Sequence, residues 1–431
     1  MVKKKQSSED FEGGIGSLMS MVSSIDDQAE IIADSAYSNI KEWISTGNYI
    51  LNACMSGDIY KAIPTGRVVT FSGTSGAGKS FLACSCCREA QKLGYIPIYL
   101  DSEGAIDSDF VKRLGVDPTK MIIKKVNTIM ETSQFIANLC DKLQEQQDKF
   151  GQHDKVIIVL DSLGNLTSEK EREDTLSGSQ KADFTKAKDT KAMFRVCATP
   201  IAKLQIPWIV VNHVYQSMSF IPQNIQAMGS GIVYNASITI ELSAAKLEDK
   251  ENDTAAKSRQ GSDAGTKNGV LVTAKPVKSR FCRPIKIKFQ IPYFKKPNPF
   301  VGLEQFMTWE NSGVCRGNLL TQKEYDKLSD GDKKKVYTWT TDAGETFYCL
   351  PKDTARYIVV KHLNAQVPFT DFWSNKVFTP EYLDYINENV IHPMFQLPDQ
   401  SAFDDVKDLE ETMGISDESK EDDPIAEANI D

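Results

Sequence analysis

Long hydrophobic runs are missing from this 431-residue sequence, whose longest apolar segments are only strand-sized, like Val156–Leu160. Because a helix needs about 20 apolar residues to cross a bilayer, the sequence predicts no membrane-spanning segment. The start is polar, with lysines at positions 3 to 5, and lacks the apolar stretch of a signal peptide. We therefore expect a cytoplasmic protein without a membrane partner.

The sequence also lacks a complete set of cysteine and histidine ligands for a zinc ion. The nine cysteines are scattered, mostly inside apolar segments, which indicates reduced thiols in a cytosol-like compartment. Cys84 and Cys87 form a C-x-x-C, but no second C-x-x-C and no nearby histidine completes a tetrahedral site. Packing inside a helix is a better interpretation of this pair than zinc binding.

The sequence has fewer basic than acidic residues. The 50 basic and 59 acidic residues give a net charge of −9, which ordinarily argues against a nucleic-acid partner. The deficit is uneven, because residues 401–431 contain twelve acidic residues and only two lysines. We expect this acidic tail to be solvated and disordered. A regulatory tail that competes with DNA or recruits a mediator is the alternative interpretation.

The hydrophobic pattern predicts an α/β fold. Between residues 66 and 292, short β-type runs alternate with helical stretches, which indicates a mostly parallel sheet covered on both faces. Ahead of this core, apolar residues between Ile25 and Ile44 recur at helical spacing and predict an amphipathic helix. Beyond residue 300, aromatic runs around the turn Asp342–Gly344 predict a small domain with a hairpin. The expected strands of the core are residues 68–72, 97–101, 156–161, 208–213, 237–242, 270–274 and 285–289.

One motif reads G-x-x-x-x-G-K-S, follows the apolar run Arg67–Phe71 and precedes helix-forming residues. In such a strand–loop–helix unit, glycines let backbone N–H groups close around phosphate oxygens, and the helix N-terminus adds positive charge. Lys79 would reach the β- and γ-phosphates of ATP, and Ser80 would hold Mg²⁺. The nucleotide-binding residues predicted here are Gly73, Thr74, Ser75, Gly76, Ala77, Gly78, Lys79, Ser80 and Phe81.

Two carboxylates at predicted strand ends complete a site for Mg·ATP. Asp161 ends the apolar run 156–160, at the edge of the sheet where open α/β proteins bind ligands, and a carboxylate there holds Mg²⁺ through water. Glu103 follows the strand 97–101 and is placed to orient a water molecule against the γ-phosphate. An aspartate that only caps the next turn is the alternative for Asp161.

Three blocks resemble, in order and spacing, the RecA family of homologous-recombination proteins: residues 99–107, 159–167 and 210–213, which read YLDSEGAID, VLDSLGNLT and VVNH. The second block, with the Asn–His pair that follows it, is most similar to the UvsX branch of large tailed phages. The resemblance runs from about Ile44 to Ile291. It implies a RecA-like P-loop ATPase core in residues 48–300, after an N-terminal arm with an oligomerisation helix in residues 1–47. A small α+β domain (301–400) and the acidic tail (401–431) follow the core.

The resemblance implies roles for single residues around the nucleotide. Glu103 matches the water-activating glutamate, Phe110 matches an aromatic that stacks on adenine, and Asp107 matches a polar contact to the base. His213 stands where the bacterial proteins carry a glutamine, and the phage branch a histidine, that senses the γ-phosphate. Ordinary helix packing is the alternative for Phe110, and a polar cap is the alternative for His213.

The resemblance also implies contacts to a neighbouring subunit and to DNA. Lys278 and Arg280 match a basic pair that reaches the neighbour's ATP, which would couple hydrolysis to assembly. The segments 169–183 and 215–234 look like DNA-facing loops, although the second contains no lysine or arginine. Solvated surface charge is the alternative for the basic residues. The expected DNA-binding residues are Lys181, Lys188, Arg195, Phe220, Gly229 and Gly231.

These matches imply an ATP- and Mg²⁺-dependent DNA recombinase. It would form a helical filament on single-stranded DNA and exchange strands with a homologous duplex, in recombination, repair and recombination-dependent replication. Mediator and single-strand-binding proteins would be further partners, in the bacterial host cytoplasm if a phage encodes the chain. DNA binding should weaken with salt and be nearly indifferent to sequence. A hexameric helicase of the same fold and an ATP-switched scaffold that does not hydrolyse ATP are the alternatives.

Overall fold

The computed structural model describes residues 14–26, 29–33, 35, 37–104, 106–176, 185–216, 224–227, 231–247, 269–293 and 296–397. Its first part contains α1 (Ile15–Ile25), β1 (Trp43–Ile44), α2 (Tyr49–Ser56) and β2 (Ile63–Pro64). The central part contains β3 (Val68–Gly73), α3 (Lys79–Lys92), β4 (Ile96–Asp101), α4 (Ser108–Arg113), β5 (Ile122–Lys125), α5 (Ile129–Phe150), β6 (Val156–Asp161), α6 (Glu169–Leu176), α7 (Thr185–Lys203), β7 (Trp208–Gln216), β8 (Asn224–Gln226), α8 (Gly231–Asn235), β9 (Ile238–Leu247), β10 (Gly269–Ser279) and β11 (Ile287–Pro292). The last part contains α9 (Trp309–Ser312), β12 (Val314–Leu320), α10 (Gln322–Asp326), α11 (Asp330–Lys333), β13 (Tyr337–Thr340), β14 (Thr346–Pro351), β15 (Tyr357–Val360), β16 (Ala365–Pro368), α12 (Pro380–Ile386) and α13 (His392–Phe395).

The central sheet has the strand order β11-β10-β9-β3-β7-β6-β4-β5, and β8 pairs with β7 outside this path. The strands from β9 to β5 are parallel, whereas β10 and β11 are antiparallel additions at one edge. The predicted α/β fold with a mostly parallel sheet is therefore confirmed. The expected strand 156–161 has the predicted bounds, and each of the other expected strands is present with one or both ends shifted by a few residues. β5 was missed because Ile122 and Ile123 are exposed on this edge strand, so that no buried pattern marks it.

The central strands are apolar throughout because helices cover both faces of the sheet. Val69 and Phe71 of β3 face a core that includes α2 and α3, whereas Val68 faces a second core that includes α5 and α7. In that second core, the rings of Phe194 and Trp208 lie 5.0 Å apart. Every residue of β3 and of β6 is buried, which holds the carboxyl ends of these strands in fixed positions.

The N-terminal helix lies earlier in the chain than the sequence pattern predicted, and the predicted helix between Ile25 and Ile44 was wrong. The helix is α1, and the described residues from 29 to 42 form turns and irregular chain. The apolar residues counted there do not share one buried face. Ile32 is exposed. Trp43, in contrast, belongs to β1, which pairs with β2, and its ring packs edge-on against the Phe281 ring with the ring centroids 5.0 Å apart.

The C-terminal region forms a five-stranded antiparallel sheet with the order β13-β14-β12-β15-β16. The predicted hairpin is confirmed, since β13 pairs with β14 around Gly344, whose φ of +83° suits glycine. This region shares its hydrophobic core with the first part of the chain: the Phe300 ring stacks on Tyr49 at 5.6 Å and on Phe378 at 4.8 Å. No helix in the described ranges is both long enough and apolar enough to span a membrane.

Replacing Phe378 with alanine tests this shared core. Phe378 is buried and contacts Phe300 and Phe372, so F378A should lower the free energy of unfolding by about 3–5 kcal/mol in urea denaturation. Phe150 is exposed at the end of α5, and F150A should cost less than about 1 kcal/mol. Equal losses for the two variants would contradict a core that continues past residue 300.

Candidate nucleotide-binding site

The site is built where parallel strands end at the same edge of the sheet. The pairing of β3 with β7 sets Gly73 beside His213, and the pairing of β4 with β6 sets Asp101 beside Asp161. A cleft of about 710 Å³ opens at this edge. The predicted site residues that line it are Ser75, Gly76, Gly78, Lys79, Ser80, Phe81, Glu103, Phe110, Asp161 and His213.

The phosphate loop joins β3 to α3. Gly76 and Gly78 have φ angles of +76° and +86°, a backbone conformation that favours glycine, and a Cβ atom on Gly78 would collide with Ile291 Cδ1. The Lys79 ammonium is buried and donates a hydrogen bond of 2.8 Å to the Thr74 carbonyl across the loop. Burial lowers the pKa of Lys79, whereas the Asp161 and Glu103 carboxylates favour its charged form. This cationic loop at a helix N-terminus fits a polyphosphate.

Ser80 and Asp161 come together as a magnesium site requires. The Tyr99 hydroxyl donates a hydrogen bond of 2.5 Å to Asp161 Oδ2. Burial raises the pKa of Asp161, while the hydroxyls of Tyr99 and Ser80 favour its ionised form. A hydroxyl and a carboxylate beside a phosphate loop are the oxygen ligands that Mg²⁺ prefers.

Glu103 lines the cleft and has partners on, or directly after, three strands. Its Oε1 atom accepts hydrogen bonds from the Ser162 hydroxyl at 2.6 Å and from His213 Nε2 at 2.8 Å. Its backbone N–H donates to Asp101 Oδ1 at 3.0 Å. Burial alone would raise the pKa of Glu103, but the bonds from Ser162 and His213 and the charge of Lys79 lower it. The carboxylate is therefore ionised and fixed in orientation, as a base that orients water must be.

His213 connects the cleft to the segment around β8. Its ring contacts Glu103, and its backbone carbonyl accepts a hydrogen bond of 2.9 Å from the Ala227 N–H. The neighbouring Asn212 side chain donates to the Ala227 carbonyl at 3.0 Å. Gly164 leaves room for this arrangement, since a Cβ atom there would lie 3.1 Å from His213 Cδ2. The residue whose ring contacts Glu103 is thus joined through its backbone to residue 227.

The part of the cleft lined by Phe110 and by residues after β11 is less predictable from the sequence than the phosphate loop. Phe110 lines the cleft as expected, but Asp107 does not: its carboxylate accepts the Phe110 N–H at 2.7 Å and caps α4. Of the eight cleft-lining residues that sequence reasoning missed, three are polar or charged: Arg113, Tyr293 and Lys296. Arg113 lies about one helical turn after Phe110, so its place beside the cleft could have been predicted from the helical spacing. Tyr293 and Lys296 come from beyond β11 and carry no motif.

Lys278 and Arg280 lie on and after β10 and are not among the residues that line the cleft of their own chain. Lys278 Nζ donates hydrogen bonds of 2.9 Å to the carbonyls of Val233 and Tyr234 near the end of α8. Arg280 is exposed. Burial, and then the charge of Arg280, lower the pKa of Lys278. The action of this pair on a neighbour's nucleotide stays a prediction.

Three of the six predicted DNA-binding residues fall in described parts of the chain. Lys188 and Arg195 are exposed on α7, whereas Met193 and Phe194 of this helix are buried. Gly231 begins α8 and packs on the stem of Lys191, because a Cβ atom there would lie 2.9 Å from Lys191 Cγ. Lys181, Phe220 and Gly229 lie outside the described residues, as does the acidic tail.

The Ser80→Ala variant tests the magnesium site. Removing one oxygen ligand should raise the Mg²⁺ concentration needed for binding of a fluorescent ATP analogue by about tenfold or more. The control is S85A, because Ser85 is a buried serine of the same helix that does not line the cleft. An unchanged Mg²⁺ titration for S80A would contradict this assignment.

Comparison with known proteins gives one family. The RecA N-terminal domain matches residues 26–293. The recombination and repair protein of Enterobacteria phage T4 is 27% identical over 223 residues, which cover 51% of this chain and 55% of that protein. Protein RecA of Desulforapulum autotrophicum is 25% identical over 254 residues, which cover 58% of this chain and 65% of that protein.

Protein RecA of Cytophaga hutchinsonii is 25% identical over 251 residues, which cover 58% of this chain and 64% of that protein. The chain thus matches 55% to 65% of the length of these relatives. The resemblance seen in the sequence blocks is confirmed. Since the family match extends over more than half of the chain and includes the sheet and the cleft described above, the chain belongs to the RecA family.

Proposed function

We propose that this protein is an ATP-dependent DNA recombinase that forms filaments on single-stranded DNA and catalyses homologous pairing and strand exchange. The observation that carries the proposal is the linkage through His213. Its ring bonds to Glu103 in the cleft, and its backbone bonds to Ala227 in the segment matched to the second DNA-facing loop. A site built in this way can transmit the state of a terminal phosphate to a DNA-binding surface.

In the proposed ATPase reaction, each contact in the cleft has a role. The loop amides and Lys79 would bind the β- and γ-phosphates, and Ser80 and Asp161 would hold Mg²⁺, which neutralises phosphate charge when bound. Glu103 would accept a proton from the attacking water, since its carboxylate is ionised and fixed by Ser162 and His213. Phe110 would cover the base.

DNA binding would rest on α7 and the two loops. Lys188, Lys191 and Arg195 recur at spacings of three and four along α7, so their exposed side chains share a face that suits phosphates. The loops would supply contacts that do not read sequence. Base pairing would then select the homologous duplex, in the cytoplasm of a bacterial host, with mediator and single-strand-binding proteins as further partners.

Two apolar surfaces of the chain support filament formation: in the proposed contact, one subunit would contribute the first surface and its neighbour the second. The exposed apolar residues of α1 recur at spacings of three and four, and they are Ile15, Leu18, Met21 and Ile25. A groove of about 470 Å³ on the outer edge of the core is lined by apolar residues that include Ile98, Ile122, Leu143 and Phe150. We propose that α1 of one subunit packs in this groove of the next, with Lys278 and Arg280 turned towards its nucleotide.

Replacing Glu103 with glutamine tests the proposed function. E103Q keeps the side-chain shape but removes the base, so ATP turnover on single-stranded DNA should fall by about 10²- to 10⁴-fold. ATP binding should persist, so electron micrographs of E103Q with ATP and single-stranded DNA should show long-lived open helical filaments. Glu345, an exposed residue of the β13–β14 turn, provides the control variant E345Q.

The alternatives give different results in the same experiment. ATP turnover at background level in both the unchanged protein and E103Q would favour the scaffold that does not hydrolyse ATP. Closed hexameric rings in place of open filaments would favour the helicase. Either result would contradict the proposed recombinase.

A further inference from the structure

The two strands that carry the acidic residues of the site end in the same dipeptide. β4 ends at Asp101 and is followed by Ser102, and β6 ends at Asp161 and is followed by Ser162. Parallel pairing places the two aspartates side by side, so the two serines also meet. Ser162 is fully buried.

The two serines lock the strand ends together through reciprocal hydrogen bonds. Ser102 Oγ donates to the Ser162 carbonyl at 2.8 Å and accepts from the Ser162 N–H at 2.8 Å. The Ser102 N–H donates to the Asp161 carbonyl at 2.9 Å. The backbone of Ser162 is thus fixed on both sides of its Cα atom, which leaves the hydroxyl only the rotation about χ1.

The Ser162 hydroxyl uses that rotation to hold Glu103. It donates to Glu103 Oε1 at 2.6 Å, a length typical of a strong bond between a hydroxyl and a carboxylate. The other side-chain donor to this oxygen is His213, at 2.8 Å. A histidine that senses a terminal phosphate must move its ring when that phosphate leaves. Ser162, in contrast, is buried and its backbone is held by Ser102, so it can keep the Glu103 carboxylate in one orientation.

We propose that Ser162 is a positioning residue of the ATPase reaction, which sets the orientation of Glu103 towards the attacking water, and that Ser102 braces it. This inference rests on the proposed function, because it requires Glu103 to be the base. Removing the hydroxyl leaves Glu103 in place but free to rotate away from its reactive orientation. A misplaced base lowers the rate of the chemical step without weakening the binding of ATP.

The experiment compares S162A and S162C with the unchanged protein on single-stranded DNA. S162A should lower kcat by about 10- to 100-fold, less than E103Q, with KM for ATP changed by less than about twofold. S162C should be intermediate, because a thiol is a weak donor. S85A, which removes a buried hydroxyl that does not line the cleft, should retain the original kcat.

The pH dependence of kcat supplies a readout that a general loss of structure would not move. The bond from Ser162 lowers the pKa of Glu103, together with His213 and Lys79, while Asp161 is the nearby carboxylate that repels it. Activity requires ionised Glu103 and is lost as the pH falls through its pKa. Without the hydroxyl this pKa rises, so S162A should lose activity at a higher pH than the unchanged protein.

The outcomes separate this inference from the proposed function. If E103Q abolishes turnover but S162A keeps the original kcat and pH profile, Ser162 is not a positioning residue and the ATPase proposal stands. If E103Q leaves turnover intact, the proposed function itself fails. A thermal melt and binding of a fluorescent ATP analogue check that S162A is folded, and a raised KM with unchanged kcat would also overturn the inference.

Discussion

The site depends on one constraint, the register of parallel strands whose buried lengths leave no freedom at their ends. Gly73 beside His213 and Asp101 beside Asp161 follow from backbone pairing alone. Because β3 and β6 are buried on both faces, a one-residue slip of either strand would move its side chains from one packed core into the other. The sheet therefore holds the phosphate loop, Asp161 and Glu103 around one cleft.

On this fixed edge, a few side chains join functions that are far apart in the sequence. Glu103 contacts both Ser162 and His213, so one carboxylate is shared between a braced strand end and a strand that leads to β8. His213 is tied through its backbone to Ala227. The groove beside Phe150 shares no lining residue with the cleft.

Local chemistry made much of this site predictable. The phosphate loop, Asp161 and Glu103 each sit in or directly after a strand with a clear pattern, so their meeting at one edge follows from the fold. Tyr293 and Lys296 enter the cleft through long-range packing, which leaves no local pattern. Asp107 is not among the residues that line the cleft, since its carboxylate caps α4, and its contact to the base stays a prediction. The predicted helix before Trp43 failed because apolar spacing does not reveal whether the residues share one buried face.

The central claim is that a triphosphate in the cleft strengthens the grip on single-stranded DNA. Fluorescence anisotropy of a labelled single strand measures this most directly, with no nucleotide, with ADP and with a slowly hydrolysed ATP analogue. The account predicts an affinity about 10- to 100-fold higher with the triphosphate than in the other two conditions. Equal affinities in all three conditions would contradict it.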